Sequence, residues 1–468
     1  MSISRRAFMV RAAAVGAGFA GLHAAMGRGW ALPRRVRAGY GPLVKDAAGL
    51  IDLPAGFTYT VFSRVGTEMA DGLLVPGRHD GMAAFAGPDG LTLLVRNHEN
   101  ESEWTDGTPF GPRAERLSRV DPRRVYDRGF GRTPAPGGTT TVVYDTRTGG
   151  GTLVREFLSL AGTLRNCAGG PTPWGTWLSC EEDVHGATGP GGMYEKSHGF
   201  VFEVTPTVEP ALAEARPLQA MGRFNHEAVA VDARSGVVFL TEDRGDGLIY
   251  RFIPAQRGRL AAGGRLQALA VRGKAALDTR NWKREIGGGG RTILPGDGFD
   301  AEWIDLRDIH APDDDLRQRG AAAGAAVFAR GEGMWTGSDG VYWVCTNGGG
   351  EQAGQVWRYR PSAAEGTTGE AAAPGRLELF IEPDDATILH NADNVTFAPW
   401  GDMIACEDNL KDNRLLGITP GGEVYTFARH VGGTSEFAGA TFSPDGSTLF
   451  VNIQNPGSTL AVRGPWRT

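Results

Sequence analysis

The sequence predicts an all-β fold, a six-bladed β-propeller with long inserted loops. Glycine is unusually frequent at 70 of 468 residues, proline adds 27, and strongly helical patterns are scarce, as expected for a chain of strands and turns. In addition, a β-hairpin pattern recurs six times along the chain. A small antiparallel sheet repeated around an axis is the blade of a propeller.

The hairpin pattern has its parts in a fixed order. In most copies a polar anchor opens a short apolar strand, a turn containing glycine follows, and a second apolar strand ends in an acid or an amide. A β-sandwich with accidentally similar hairpins is the alternative explanation. The six copies span residues 79–99, 166–182, 225–243, 330–347, 393–408 and 437–452.

Three irregular segments separate the hairpins: residues 100–138, 256–326 and 361–375. Their composition, rich in Pro, Gly, Arg or Ala, is typical of surface loops. We expect these insertions to be long enough to cover one face of the propeller.

The N-terminal segment, residues 1–31, has the features of a twin-arginine export signal. Arg5 and Arg6 precede a weakly apolar run, and cleavage after Ala31 is expected. Residues 32–468 are then a single propeller domain that is periplasmic or extracellular, with the twin-arginine export machinery as a partner. A mitochondrial-type presequence or a disordered basic tail is the alternative.

Charge and composition indicate which binding partners the protein is expected to lack. The net charge is −6, and it falls to about −10 without residues 1–31, which carry four arginines and no acid; an acidic protein argues against nucleic acid as a binding partner. No run approaches the roughly 18 apolar residues of a membrane span, and we expect a monomer. The four cysteines are expected to be mostly free thiols, because a large core does not need disulfides.

The ends of the hairpins predict a metal site. Anchor and terminal acid lie side by side at the open end of an antiparallel hairpin, and equivalent blades point their open ends at one mouth of the central channel. Clustered carboxylates raise one another's pKa unless cations neutralise them, and Asp, Glu and Asn oxygens suit calcium, magnesium or manganese. Taken singly, each acid could equally bond turn backbone. The residues expected at this mouth are Asp80, Glu99, Glu181, Glu182, Glu227, Glu242, Asp243, Glu332, Asp393, Glu407 and Asp408, with Asn97, Asn347, Asn394 and Asn452.

Two residues suggest a more specific chemistry. Cys167 occupies an anchor position where other copies carry acids. A thiolate there would favour a transition metal over calcium, although an inert buried cysteine is the alternative. Arg330 shares a strand face with Glu332. It could hold an anionic substrate, or it could form a structural salt bridge with one of the acids.

Several longer motifs, in this order along most of the chain, resemble the PhoX family of alkaline phosphatases. The motifs are Pro76-Gly77-Arg78-His79-Asp80-Gly81-Met82, Arg96-Asn97-His98-Glu99, Asn166-Cys167-Ala168-Gly169-Gly170, Trp174-Gly175-Thr176-Trp177, Cys180-Glu181-Glu182, Gly222-Arg223-Phe224-Asn225-His226-Glu227 and Cys406-Glu407-Asp408.

The resemblance implies a six-bladed propeller that hydrolyses small phosphomonoesters with Ca²⁺ and Fe³⁺. It makes Cys167 an iron ligand and Arg330 the phosphate contact, although Gly331 stands where proline is common in the family. The predicted catalytic residues are Arg330 and Glu332. The predicted metal ligands are Cys167, Glu99, Glu181, Glu182, Glu227, Glu332, Asp243, Asn394, Glu407 and Asp408.

The predicted reaction is metal-assisted hydrolysis, with Arg330 stabilising charge on the transferred group. His98 and His226 are either proton carriers or buried histidines bonded to backbone. Two other functions fit the residues. A calcium-dependent propeller hydrolase of another ester, such as a lactone, would tolerate Cys167→Ala. A non-catalytic propeller that uses ions only for structure would turn over no ester.

Overall fold

A computed structural model describes residues 39–101, 107–147, 149–189 and 191–467. The predicted signal, residues 1–31, lies outside this range. The strands of the described part are β1 (Leu43–Val44), β2 (Ile51–Pro54), β3 (Thr58–Arg64), β4 (His79–Ala86), β5 (Thr92–His98), β6 (Gly137–Asp145), β7 (Thr152–Thr163), β8 (Asn166–Pro171), β9 (Trp177–Glu181), β10 (Val201–Val204), β11 (His226–Val231), β12 (Val238–Glu242), β13 (Ile249–Pro254), β14 (Gly264–Val271), β15 (Gly298–Asp305), β16 (Gly331–Thr336), β17 (Val341–Cys345), β18 (Gln355–Arg360), β19 (Arg376–Ile381), β20 (Ala392–Phe397), β21 (Met403–Glu407), β22 (Arg414–Ile418), β23 (Val424–His430), β24 (Phe437–Phe442), β25 (Leu449–Ile453) and β26 (Ser458–Arg463).

Helices are short in the described part of the chain, as the composition predicts. The α-helices are α1 (Gly129–Arg132) and α2 (Leu316–Ala322). The 3₁₀ turns are Pro88–Gly90, Leu117–Arg119, Pro122–Arg124, Gln219–Met221, Leu260–Ala262, Arg284–Ile286 and Thr368–Ala372.

The strands form a propeller-like all-β fold of five antiparallel sheets in the described residues. Their strand orders are β4-β5-β6-β7, β10-β9-β8, β11-β12-β13-β14-β15-β19-β18-β17-β16, β1-β2-β23-β22-β21-β20 and β24-β25-β26-β3. The six predicted blades therefore do not correspond one to one to the sheets of the structure. The third and fourth hairpins share one nine-stranded sheet, because β15 pairs with β14 on one side and with β19 on the other.

The first strands of the six hairpins surround a common axis. They contact one another in the cyclic order β4, β8, β11, β16, β20, β24 and back to β4. The two edges of the nine-stranded sheet, β11 and β16, are neighbours in this ring. The last sheet is completed by β3, which pairs with β26 from the other end of the chain. The ring is thus joined through both ends of the described chain.

The hydrophobic core lies between neighbouring sheets. One cluster includes Phe239, Trp343 and Trp357, all at most 1% exposed, from the third and fourth hairpins. Another cluster combines Tyr425 of β23 and Leu460 of β26, from the two sheets that contain the fifth and sixth hairpins. Burial of each such side chain contributes about 1.5–3 kcal/mol, so the sheets are fixed against one another and the ring is rigid around its axis.

A β-bulge interrupts each first strand near its start. In β4 the pairing skips two residues, Asp80 and Gly81, against the single residue Asn97 of β5. Similar two-residue interruptions occur in β8, β11, β16, β20 and β24. Bulges re-aim side chains and are frequent beside active sites. The first bulge residues are Asp80, Cys167, Glu227, Glu332, Asp393 and Gly439.

The second bulge residues close the channel behind this ring. They are mostly small, because the strands approach closely: a Cβ on Gly81 would lie 2.6 Å from the Cα of Ala168, and one on Gly333 would lie 2.4 Å from the Asp393 carbonyl oxygen. The residues at these positions are Gly81, Ala168, Ala228, Gly333, Asn394 and Ala440. They form an apolar floor beneath the first bulge residues.

Candidate metal centre and active site

The open ends of the six hairpins share one backbone hydrogen bond. The residue after the second strand donates its N–H to the carbonyl of the residue directly before the first strand, at 2.9 to 3.3 Å. The donors are Glu99, Glu182, Asp243, Thr346, Asp408 and Gln454, and the acceptors are Arg78, Arg165, Asn225, Arg330, Asn391 and Glu436, in the same order. This repetition places three sets of polar side chains at one mouth, as the hairpin pattern predicts. The sets are the residues before the first strands, the first bulge residues and the residues after the second strands.

Carboxyl groups outnumber arginines in this cluster. In the described residues its acids are Asp80, Glu99, Glu182, Glu227, Asp243, Glu332, Asp393, Asp408 and Glu436, and its guanidinium groups are those of Arg78, Arg165 and Arg330. The protein therefore carries excess negative charge in a buried place, which additional cations can offset.

The pKa values of these acids reflect the crowding. Burial, and then the charges of Glu99 and Asp393, raise the pKa of Asp80 well above its usual range. Burial and the charge of Asp243 do the same to the pKa values of Glu182 and Glu332. Without cations these groups therefore bind protons more tightly than exposed carboxylates do.

The first candidate metal position lies around Cys167. Its sulfur is 2.6 Å from Oε2 of Glu227, and ligand atoms of Cys167, Glu182 and Glu227 lie within 4.8 Å of one another. All three residues are buried. Burial and the charge of Glu227 raise the pKa of the Cys167 thiol. One sulfur and two carboxylates fit a transition metal better than calcium.

The second candidate position contains only oxygen ligands. Ligand atoms of Glu227, Glu332 and Asp393 also lie within 4.8 Å of one another. Burial and the charge of Asp408 raise the pKa of Asp393 to about 7. Since Glu227 belongs to both groups, its carboxylate lies between two adjacent cation positions, and the oxygen set of the second suits a hard cation such as calcium.

Two arginines flank these positions. Arg330 donates from Nε and Nη2 to the two carboxylate oxygens of Asp243, both at 2.7 Å, and its Nη2 lies 2.8 Å from Oε1 of Glu332. Arg165 contacts Oε1 of Glu99 at 2.8 Å and Oε2 of Glu182 at 2.9 Å. Both side chains are partly exposed, 40% for Arg330 and 28% for Arg165.

The structure gives two predicted ligands other partners. Oε1 of Glu181 accepts hydrogen bonds from the Leu164 N–H and His198, and Oε2 accepts from two further backbone N–H groups. Glu407 is fully buried against Arg414 and the N–H of His390. Successive side chains of a strand point in opposite directions, so these acids point into the protein. We therefore remove Glu181 and Glu407 from the candidate ligand set.

The side chain of Asn394, another predicted ligand, also forms hydrogen bonds within the protein. Its Oδ1 accepts from the Gly439 N–H at 2.9 Å, and its Nδ2 donates to Asp393 at 3.0 Å. Both polar atoms are thus occupied in holding the neighbouring strand and an acid of the cluster. The remaining predicted residues lie at the mouth: Cys167, Glu99, Glu182, Glu227, Asp243, Glu332, Asp408 and Arg330.

The sequence reasoning did not expect three members of the mouth, Arg78, Arg165 and Glu436. Arg78 and Arg165 precede their bulges as Arg330 does, and these three arginines have left-handed φ angles of 45°, 45° and 49°. Such angles are uncommon outside glycine and concentrate at functional sites. Glu436 occupies the same position in the last hairpin. The signal available was an arginine directly before an anchor, in Arg78-His79 and Arg165-Asn166.

The two histidines considered as proton carriers are bonded to the protein. His98 contacts the Gly77 carbonyl at 2.8 Å and Thr140 at 2.9 Å. His226 contacts the Gly222 carbonyl, and burial lowers its pKa to about 3. Both are buried, which agrees with the alternative of structural histidines. The four cysteines are free and buried, as predicted.

The fold and mouth define a class of protein: a propeller-like all-β fold with a buried acidic cluster that could hold metal ions and is flanked by arginines. The sequence profile of the family described as alkaline phosphatase PhoX matches residues 38–457. The chain therefore belongs to the PhoX alkaline phosphatase family. The predictions of this family and of the enzyme class, a phosphoric monoester hydrolase, are confirmed.

A solved structure supports the fold. Pseudomonas fluorescens PhoX in complex with vanadate, a transition state analogue, is 19% identical to this chain, with a TM-score of 0.66 over 90% of this chain and 97% of that chain. A gluconolactonase from Xanthomonas campestris matches with 11% identity and a TM-score of 0.38 over 91% and 98% of the two chains. No protein with a curated description matches the sequence.

No helix among the described residues has the length and apolar character needed to cross a membrane.

Proposed function

We propose that the protein hydrolyses phosphomonoesters at a multinuclear iron and calcium centre in the mouth of a six-bladed propeller. The observation that carries this proposal is the pair of overlapping ligand groups, one with Cys167 and one with oxygen ligands only, that share Glu227. When bound, the metal ions supply positive charge that binds and polarises the phosphate group.

The residues of the chain have separate roles in this proposal. Cys167, Glu182 and Glu227 would hold iron, and Glu227, Glu332 and Asp393 would hold a calcium ion. Glu99, Asp243 and Asp408 would be further oxygen ligands at the rim. Arg330 orients the phosphate group through its planar N–H donors and stabilises the charge that develops during transfer. Its present partners, Asp243 and Glu332, keep the guanidinium at the mouth.

The apolar floor supports a water-poor phosphate site. The small second bulge residues close the channel behind the carboxylates, so a substrate would enter only from the mouth. Burial strengthens the attraction between an anion and the flanking charges, because the effective dielectric constant is lower than in water. This favours a small phosphate ester whose leaving group extends toward solvent.

Six blades are supported by six equivalent hairpin ends, each with the same backbone hydrogen bond. Each hairpin also carries a bulge near the start of its first strand. We further propose that residues 1–31 direct twin-arginine export to the periplasm or beyond and that residues 32–468 act there as a monomer. The paired arginines and the apolar run support the first point.

The test is turnover by the purified protein. We expect iron and calcium in metal analysis, hydrolysis of p-nitrophenyl phosphate, and loss of that activity with a chelator. Arg330→Ala should lower kcat/KM by about 10²-fold or more, while Arg360→Lys, a change of an arginine paired with Asp339 and Glu378, should leave it unchanged.

Other outcomes would favour the alternative functions. Calcium without iron, with hydrolysis of a lactone and not of the phosphate ester, would favour the calcium-dependent hydrolase. Bound ions with no turnover of any ester would favour a structural role for the metals. Either result would reject the proposed phosphatase.

A further inference from the structure

We infer that Arg165 is a second oxyanion-binding arginine, which holds the phosphate group opposite Arg330. This inference rests on the proposed function and adds a substrate-binding residue to it. Arg165 lies in the Arg-Asn-Cys sequence directly before the candidate iron ligand Cys167. Its side chain faces the same mouth.

The backbone places Arg165 and Arg330 in equivalent positions. The Glu182 N–H donates to the Arg165 carbonyl at 2.9 Å, and the Thr346 N–H donates to the Arg330 carbonyl at 3.0 Å. Both arginines have left-handed φ angles, 45° and 49°. Arg78 and Asn391 share that conformation at the same position of their hairpins, with φ angles of 45° and 52°, so the repeated hairpin ends set the two arginines in equivalent positions.

The ion pairs of the two arginines are also equivalent. Each guanidinium bridges two acids, Glu99 and Glu182 for Arg165, Asp243 and Glu332 for Arg330. Glu182 belongs to the first candidate metal position and Glu332 to the second. Each metal position thus has one carboxylate tied to one arginine, and an oxyanion between the two positions would have an arginine on either side.

The chemistry of Arg165 suits such a ligand. A cation that takes Glu182 provides a new counter-charge for that carboxylate, which leaves N–H donors of Arg165 for an anion. A planar guanidinium donates two parallel hydrogen bonds to a phosphate. The 28% exposure of the side chain gives an anion access to it. Arg78 occupies the equivalent position of the first hairpin, where its Nη1 lies 3.8 Å from Oε2 of Glu99, and Glu99 is in neither of the two ligand groups.

The experiment compares metal-loaded wild type, Arg165→Lys, Arg165→Ala and the control Arg360→Lys. Metal content per chain, KM and kcat for p-nitrophenyl phosphate, and the inhibition constant of inorganic phosphate are measured for each. We expect Arg165→Ala to raise KM and the inhibition constant at least tenfold, with unchanged metal content. Arg165→Lys should show a smaller rise, and the control none.

An unchanged inhibition constant in chains that retain their metals would overturn the inference. So would a variant that loses metal but binds phosphate normally once reloaded. If neither variant folds, phenylglyoxal labelling of the wild type decides: phosphate should protect Arg165 from modification, and equal labelling with and without phosphate would overturn the inference.

A failure of the proposed function remains distinguishable. If the wild type holds metals but hydrolyses no phosphate ester, phosphate binding by calorimetry still tests Arg165 through the same variants. Tenfold weaker binding in Arg165→Ala would support the inference, and equal binding would overturn it.

Discussion

At the scale of single residues, neighbouring acids of one strand end have opposite functions. Glu181 accepts four hydrogen bonds inside the protein, and Glu182, one residue later, reaches the mouth. Glu407 and Asp408 repeat the arrangement, since Glu407 is buried against Arg414 and Asp408 is exposed. The first acid holds the hairpin end in place, and the second is available to a cation.

Substitution of Glu181 should affect stability, whereas substitution of Glu182 should affect metal binding. Glu181→Gln should lower the free energy of unfolding by about 3–5 kcal/mol, because it leaves buried His198 without its closest carboxylate. Burial alone would lower the pKa of His198, but Glu181 and Asp127 raise it to about 9. Denaturant unfolding of Glu181→Gln, with Glu182→Gln for comparison, measures this loss of stability.

Glu182→Gln should instead weaken metal binding at least tenfold and leave the metal-free protein as stable as the wild type, or more so. Its carboxylate adds to the repulsion around Asp243 and Glu227. Metal titration of the chelated protein provides the readout. Equal metal affinity in both variants would contradict the assignment of Glu182 as a ligand.

Cysteine position gives a second prediction. Cys167→Ala should lower iron content more than tenfold, because the group loses one of its three ligands, the thiolate that favours a transition metal over calcium. Cys345→Ala is the matched control, since Cys345 is equally buried but belongs to the core. Elemental analysis of both purified variants tests this, and normal iron in Cys167→Ala would contradict it.

The residues of the mouth were only partly predictable from the sequence. Cys167, Glu227 and Glu332 could be found because each stands in a recognisable anchor. Glu181 and Glu407 were grouped with their neighbours, although the structure gives them other partners, because the sequence does not say which of two successive acids faces the axis. Arg165 was missed because the arginine before its anchor was not used as a signal, and its left-handed backbone is visible only in the structure.

At the scale of strands, second strands hold the bulges of the next hairpin. Nδ2 of Asn97 in β5 donates to the carbonyls of Cys167 and Ala168 at 3.2 and 2.6 Å. Thr241 in β12 donates to the Glu332 carbonyl at 2.7 Å, and Asn452 in β25 donates to the Asp80 carbonyl at 2.6 Å. Each of these bonds fixes the backbone of a residue at the mouth.

Asn97→Ala should therefore affect both stability and metal binding. Leaving two buried carbonyls without a donor should cost about 2–4 kcal/mol, and the freed Cys167 bulge should bind iron more weakly. Asn281→Ala is the control, because Asn281 is equally buried but binds the Ile293 carbonyl and Glu382 away from the mouth. We expect similar destabilisation there with normal iron content. Equal iron loss in both would show a general folding defect instead.

The strands themselves were well predicted, and the bulges were not. Apolar runs and Asp-Gly turns locate hairpins directly, whereas a bulge depends on the register between two strands, which one sequence does not determine. The link through β15 also escaped prediction. Residues 298–305 lie in a segment read as an insertion, and their pairing with both β14 and β19 joins parts of the chain about 100 residues apart.

At the scale of the whole molecule, the mouth makes stability depend on both pH and cations. Several of its acids have raised pKa values, about 7 for Asp393 and well above the usual range for Asp80 and Glu227. The metal-free folded state then binds more protons than the unfolded chain above pH 6.5. By linkage, its free energy of unfolding falls as pH rises through this range.

We expect chelated protein to lose on the order of a few kcal/mol between pH 6.5 and 8. Calcium and iron should remove the part of this slope that comes from the mouth, because bound cations offset the charges. His198, whose pKa is raised to about 9, adds a fall in the same direction that the metals do not change. The buried histidines His79, His98 and His226 have lowered pKa values and act in the opposite sense, mainly below pH 6.5. Thermal unfolding at four pH values, with and without metals, measures the effect. Stability of the chelated protein that rises over this interval would contradict it.

The pairing of β3 with β26 has a consequence for biosynthesis. Residues 58–64 leave the ribosome hundreds of residues before their partner, residues 458–463, has been translated. Strand β3 cannot pair with β26 before the end of translation. The last sheet therefore forms only near or after release of the chain from the ribosome. The proposed metal ligands come from the first five hairpins, whose ring is closed only when the last sheet forms, so we expect the complete metal centre to assemble after translation.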